Sequence, residues 1–280
     1  MKIIKFFSNF VESEITMNSY INLYNLNEDP DFNVKYKFTK DDDYTHAIIL
    51  NTYQPNLHIC KENVIGLAYE PPYFLNINQN FINYANKNIG KYFIGSKLNL
   101  PEPFISHYSP MVHNNFLTEK PIKNKLISLM VSDKNNAPGH KYRHKLVQAI
   151  LKTKLPIDIC GRGCRYYSKL NDERIKGEFE DNNPYLNYKF HIAVENFVTE
   201  NYFSEKINNA LLHYCTPVYH GATLIDNYFD NIIKLTGDIN NDMQILSDIC
   251  NEPDKFYKIP DIDKIKEKIT IKNVINEFDK

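Results

Sequence analysis

The chain has 280 residues, enough for one large α/β domain or two small ones with real cores. Its formal charge of −1 excludes a global field for nucleic acid or for a membrane surface, so any anion site has to be built locally. Five cysteines, an odd number with three in or beside apolar runs, argue for packed, reduced thiols rather than a disulfide framework.

In chain order, "KIIKFF" (2–7) reads as a strand, and "ESEITMNSYINLY" (12–24) as a helix with Ile15, Tyr20, Leu23 and Tyr24 inward. "MKIIKFFSNF" is too short for a signal peptide or a membrane span, so the expectation is a soluble, cytoplasmic chain without an integral membrane segment. "NVKYKFT" (33–39), "HAIILN" (46–51) and "VIGLAYE" (64–70) read as strands rich in β-branched and aromatic residues. "EPPYF" stops the last of these, because proline cannot continue a ladder. The polar stretch "FLTEKPIKNK" (116–125) marks a boundary, which sets an N-terminal domain at 1–120 and a second at 121–260.

The second part is more regular. "LISLMVS" (126–132) is a strand, "HKYRHKLVQAILKT" (140–153) a helix and "LPIDICG" (155–161) the next strand. "FHIAVEN" (190–196) is a strand, "SEKINNALLHY" (204–214) a helix and "TPVYHG" (216–221) a strand. "NIIKLT" (231–236) reads as a short strand, "DMQILSDIC" (242–250) as a helix, and residues 261–280 as a terminal helix, continuous or broken. Strands alternating with helices imply parallel sheets with right-handed crossovers, and two such halves imply two Rossmann-like domains. Ligands of such sheets bind outside the carboxyl ends of the strands. Polar residues gather there: "GRG" (161–163), Glu195 and Asn196, "HGA" (220–222) and Glu70.

Ser204 is a candidate N-cap, and Glu205 and Lys206 open the helix behind it. A lysine in a first turn opposes the helix dipole, but it suits an anion bound at the helix N-terminus. Glu205 beside it can accept hydrogen bonds from sugar hydroxyls such as those of a ribose. Arg143 stands in the first turn of the preceding helix, where its fork suits two phosphate oxygens, and Lys141 has the same option. By spacing alone, the same residues also fit solvated helix faces.

The run "FHIAVENFVTENYFSEKINNALLHYCTPVYHGA" resembles the donor motif of the α1,3-fucosyltransferases, glycosyltransferase family 10. The matching pieces are "FHIAVEN", "YFSEK", "INNAL" and "TPVYHG", with Arg143 and "IDICGRG" upstream. Val194 and His220 stand where the family carries aromatic or bulky apolar residues. The resemblance runs from about Ser128 to Tyr257 and is faint over the first 120 residues. It implies a GT-B fold, two Rossmann-like domains facing across a cleft, with the acceptor glycan on the first and GDP-fucose on the second. It implies inversion at the anomeric carbon with no metal or other cofactor required. It places Arg143 and Lys206 as pyrophosphate cations and Glu205 as the ribose carboxylate. Glu195, Asn196 and Tyr202 fall at its other donor-binding positions, and Glu70 in "LAYEPP" is the best match to its general base.

Two rival readings stand beside this one. "KYKFTKDDD" can be a strand running into a metal-binding D-x-D at Asp41–Asp43, although a charged turn fits as well. His140 and His144 have metal-pair spacing but lack an evident third ligand, which favours solvated or phosphate-facing histidines. "CGRGC" spaces Cys160 and Cys164 too widely for a thioredoxin motif. Alternatively, the chain is a transferase for another nucleotide sugar, or a carbohydrate-binding homologue without activity.

Overall fold

The computed structural model describes residues 1–109, 116, 117, 119–180 and 183–280. The chain first runs β1 (Lys2–Phe7), α1 (Ser13–Tyr24), α2 (Pro30–Lys35), β2 (Tyr36–Phe38), β3 (His46–Leu50), β4 (Val64–Leu67), α3 (Gln79–Asn88), β5 (Lys91–Ile94) and β6 (Phe104–Ser106). It continues β7 (Lys125–Met130), α4 (Pro138–Leu151), β8 (Ile157–Cys160), β9 (Ile175–Gly177), α5 (Asn183–Leu186), β10 (Tyr188–Val194), α6 (Glu205–Leu212) and β11 (Thr216–His220). Last come β12 (Ile233–Lys234), α7 (Ile239–Asn251), α8 (Pro253–Phe256), α9 (Ile262–Ile269) and α10 (Lys272–Ile275). Two units result: Met1–Met111 with Thr199–Tyr202 and Ile269–Lys280, and Val112–Val198 with Phe203–Lys268.

The first unit is built on a parallel sheet of order β2-β1-β3-β4-β5-β6. Side chains alternate across it, as the period of two requires. Ile48, Leu50, Ile65, Leu67 and Phe93 bury on one face with Tyr20 of α1 and Phe32 of α2. Ala47, Ile49, Val64, Tyr92 and Ile94 bury on the other with Phe81 and Ala85 of α3. Gly66 is there because a Cβ would lie 2.0 Å from the Tyr92 ring.

Several expectations change here. The strand expected over 33–39 is helical in its first half. Asp29 accepts the Phe32 N–H at 3.0 Å and Pro30 occupies the first turn, so a capped helix precedes a three-residue strand. The strand expected over 64–70 stops at Leu67, which leaves Glu70 on a bend beyond it. Ile15 is 54% exposed, and Thr16 and Tyr20 form the buried face of α1. The terminal helix breaks after Ile269, and Ile271, Val274 and Ile275 pack into the core around β1 and β3. There the apolar burial of three side chains outweighs helix continuity.

The second unit has a parallel sheet of order β12-β11-β10-β7-β8-β9. Its core joins Ile127 and Leu129 of β7, Ile157 and Ile159 of β8 and Phe190, Ile192 and Val194 of β10 to Leu146, Val147 and Ile150 of α4. In sequence order the strands stand 3-2-1-4-5-6, the arrangement of dinucleotide-binding folds. The order reverses between β7 and β10, so the crevice at their carboxyl ends is the expected ligand position. Among the described residues no helix is long and apolar enough to cross a membrane.

Candidate active site

β7 leads through a short loop into α4, and β10 leads through a longer one into α6. The two strands are paired in parallel, Ser128 opposite His191 and Leu129 opposite Ile192, so both loops leave from the same edge of the sheet. The start of α4 docks against the end of β10. Gly139 donates its N–H to the Asn196 carbonyl at 2.9 Å, and a Cβ on it would come within 1.8 Å of the Glu195 carbonyl oxygen. Only glycine permits that approach.

Arg143, one turn into α4, is buried at 7% exposure. Its Nε donates to the Gly139 carbonyl at 3.3 Å and one Nη to Asn196 Oδ1 at 2.7 Å. Burial lowers its pKa, and Glu195 and Glu205 oppose that shift, so the guanidinium keeps its charge. Lys141 is exposed on the other side of the helix.

Glu195 is wholly buried at the end of β10. Ser204 donates its N–H to one carboxylate oxygen at 2.9 Å and its hydroxyl to the other at 2.7 Å. Ser204 is also the N-cap of α6, and its hydroxyl accepts the Lys206 N–H and the Lys206 ammonium at 3.0 Å. The ammonium lies 3.0 Å from Glu205 and 3.6 Å from Glu195. Burial raises the Glu195 pKa and Lys206 counters it. With both oxygens accepting hydrogen bonds and a cation beside them, the ionised form fits the site. For Lys206, burial favours the neutral amine, but Glu205 and Glu195 together prevail and its pKa rises. The Glu-Lys pair is therefore not a solvated helix face: the Lys206 side chain is only 16% exposed.

His140 and His144 have different fates, and neither is solvent-facing in the way the spacing suggests. His140 is buried, with Nδ1 accepting the Ala137 N–H at 3.2 Å and the Asn136 side chain 2.8 Å away. Burial and then the charges of Arg143, Lys134 and Lys206 lower its pKa to about 4, so it is neutral. His144 bonds the Tyr167 hydroxyl through Nδ1 at 2.7 Å. Among the described residues no group of three His, Cys, Asp or Glu is placed to hold a metal ion.

Arg143, Glu195, Asn196, Glu205 and Lys206 are thus brought together in the second unit. Tyr202 and Glu70 belong to the first. Tyr202 is buried at 3%, its N–H donating to Thr199 Oγ1, and the neighbouring Asn201 N–H donates to the Gly95 carbonyl. Glu70 is half-buried just before Pro71. Asp41–Asp43 form a charged turn: Thr39 Oγ1 donates to Asp43 and accepts the Asp41 N–H, while Asp42 pairs with Lys5 at 2.9 Å. His220, the replacement before the late glycine, packs its ring 4.8 Å from that of Tyr142. Sequence reasoning missed the part of His140 in this cluster and the clasp of Ser204 on Glu195. The S-E-K triplet announced only the cap.

Residues 120–234 match the profile described as glycosyltransferase family 10 (fucosyltransferase) C-term. No curated protein sequence matches the chain. Among solved structures, an α1,3-fucosyltransferase with GDP is similar over 99% of this chain and 89% of its own, at TM-score 0.58 and 12% identity. The Anabaena protein HepE with UDP-glucose is similar over 100% and 98%, at TM-score 0.58 and 11% identity. An α-glucosyltransferase with UDP and a 13-mer DNA is similar over 100% of both chains, again at TM-score 0.58 and 11% identity. At such identities the structures establish the fold alone, and the profile match is a similarity confined to residues 120–234. Residues 120–234 are thus similar to the C-terminal domain of glycosyltransferase family 10 (fucosyltransferase), and the chain has the two-unit parallel α/β fold of GT-B glycosyltransferases.

Proposed function

We propose that the protein is an inverting, metal-independent transferase that moves fucose from GDP-fucose to a hydroxyl of a glycan acceptor. One observation carries this reading: two buried or half-buried cations, Arg143 one turn into α4 and Lys206 in the first turn of α6, stand at the β7/β10 switch point. A diphosphate there meets both charges and the positive ends of two helix dipoles. Those groups stabilise the charge that develops on the departing diphosphate, the contribution that a metal makes elsewhere. Glu205 is proposed to accept the ribose hydroxyls.

Direct displacement has a simple balance. The acceptor hydroxyl loses its proton to a carboxylate as its oxygen bonds to the anomeric carbon. The bond from that carbon to the diphosphate oxygen breaks, and the electron pair leaves with GDP. We assign the carboxylate to Glu70, on the resemblance of "LAYEPP" to the family's general base. A second reading keeps the same clamp and changes the nucleotide, since the similar structures include proteins with UDP and UDP-glucose. Thermal-shift titration with GDP, UDP, CMP and dTDP, followed by GDP-fucose hydrolysis in EDTA, decides between them. Stabilisation by GDP and EDTA-resistant release of fucose are expected. Stabilisation by UDP alone would move the donor to the second reading.

A further inference from the structure

We propose that Asn51 is a positioning residue of the reaction: its side-chain amide holds the chain just past β4 and so sets where Glu70 stands. The inference rests on the reading of Glu70 as general base, and it concerns a residue at the end of the neighbouring strand, β3.

β3 and β4 pair in parallel as far as Leu50 opposite Leu67. Asn51 adds one more rung, its N–H donating to the Leu67 carbonyl at 3.0 Å. In an evenly spaced parallel ladder the Asn51 carbonyl would next accept the Tyr69 N–H. It does not, because Asn51 adopts a left-handed conformation, φ 52°, in which the chain leaves the ladder. The Asn51 carbonyl accepts the Tyr92 hydroxyl at 2.6 Å instead, and the Tyr69 N–H goes to Asn51 Oδ1 at 2.8 Å. The side chain thus supplies the acceptor that the backbone withdraws. Asparagine suits this post twice. Its short amide mimics a peptide carbonyl, and it tolerates the left-handed region better than other residues with a Cβ. An N–H donor requires the amide oxygen, so the orientation of the amide is fixed.

Other bonds hold the residues on either side. Ala68 donates its N–H to the Phe93 carbonyl at 2.9 Å, and its own carbonyl accepts the Ser109 hydroxyl. Pro71 is buried and accepts the Phe74 N–H at 2.9 Å, but it has no N–H to give. The Tyr69 N–H is therefore the last backbone donor before Glu70, and its hold depends on one side chain.

Hydrolysis of GDP-fucose tests this without an identified acceptor. Water then takes the place of the acceptor hydroxyl, bonds to the anomeric carbon and gives its proton to the same carboxylate as the bond to the diphosphate breaks. N51G keeps the left-handed turn and removes the amide, whereas N51D keeps an oxygen of the same reach. In N51G kcat is expected to fall about 10–100-fold, the scale of a misplacement of about 1 Å, with GDP affinity by calorimetry unchanged. N51D should recover to within about threefold of wild type. In an E70Q background N51G should add nothing, because its effect passes through Glu70. Normal turnover in N51G, or additive losses, would overturn the proposal. Hydrogen exchange at the Tyr69 amide reads the anchor with no substrate present. Exchange about tenfold faster or more in N51G, with protection in wild type and N51D, is expected, and equal protection in all three would refute it. Should N51G fail to fold, Y92F removes only the hydroxyl on the Asn51 carbonyl. Faster Tyr69 exchange and a fall in kcat of about threefold are then expected, and no change in either would overturn the proposal. A slow E70Q beside a normal N51G removes this inference alone. A normal E70Q removes the general-base reading and this inference with it.

Discussion

The carboxyl ends of β10 and β4 each lead to a glutamate, and the two glutamates are held in opposite ways. Glu195 follows its strand directly, is wholly buried, and has both oxygens engaged by Ser204 with Lys206 at 3.6 Å. Glu70 lies on a bend three residues past β4, half-buried, ahead of two prolines. A carboxylate whose lone pairs serve a cap and an ammonium organises charge and is poorly placed to accept a proton from substrate. A base must be reached by substrate and must change protonation during the reaction. Under the proposed function, the second unit organises the donor site and the first supplies the proton acceptor.

The largest expected effect tests that division directly. Glu70→Gln keeps shape and removes basicity, so transfer should fall by about 10²–10⁴-fold while GDP affinity stays within error. Near-normal turnover, measured as product formation from GDP-fucose, would end the Glu70 assignment. Glu12 and Glu14, after β1, would then be next to test. Glu14 is paired with Lys40 at 3.1 Å on the surface, which makes Glu12 the first of the two.

Next in size is Lys206→Ala. It should weaken GDP by about 1–3 kcal/mol, the range of a lost charge-assisted bond, and leave guanosine unaffected. Equal weakening of both ligands, read by calorimetry, would remove the diphosphate from this end of α6.

Two glycines sharpen the same contrast by pure sterics. Gly66→Ala sets a methyl against the Tyr92 ring and should cost about 1–3 kcal/mol of stability, with donor binding unchanged in the protein that remains folded. Gly139→Ala sets a methyl against the backbone end of β10 and should displace α4, so GDP affinity drops even where the melting temperature holds. If both variants change only the melting temperature, the close approach at Gly139 matters for folding and not for the site.

The smallest effect is on pH dependence. Burial lowers the pKa of His140 from 6.5 to about 4 and that of His191 to about 3. The unfolded chain binds these protons more readily, so stability is complete above pH 6.5 and falls as the pH drops toward 4. Denaturation at pH 7 and pH 5 should differ by about 1–2 kcal/mol for each histidine, and H140Q should remove the His140 share. A wild-type difference that H140Q leaves intact would mean that His140 does not stay neutral when buried.

Sequence alone determined whatever is encoded over short spacing. Alternating strands and helices announced two parallel sheets. Ser204, Glu205 and Lys206 announced a capped helix start, and the ordered motif from Phe190 to Gly221 carried the family resemblance. The difference near the N-terminus is local too: Asp29 and Pro30 are a helix-start signal, and the β-branched and aromatic residues of "NVKYKFT" suit a strand only in its second half. Residues 75–109 supply α3, whose Phe81 and Ala85 bury one turn apart, and β5 and β6, strands of four and three residues too short to stand out from their polar flanks. Only the tertiary structure brought Arg143 to Asn196, seated Gly139 on the Glu195 carbonyl, and returned Ile271, Val274 and Ile275 to the first core. Those contacts join residues more than fifty positions apart. No local propensity or spacing encodes them, because they exist only once two parallel strands have set their carboxyl ends side by side.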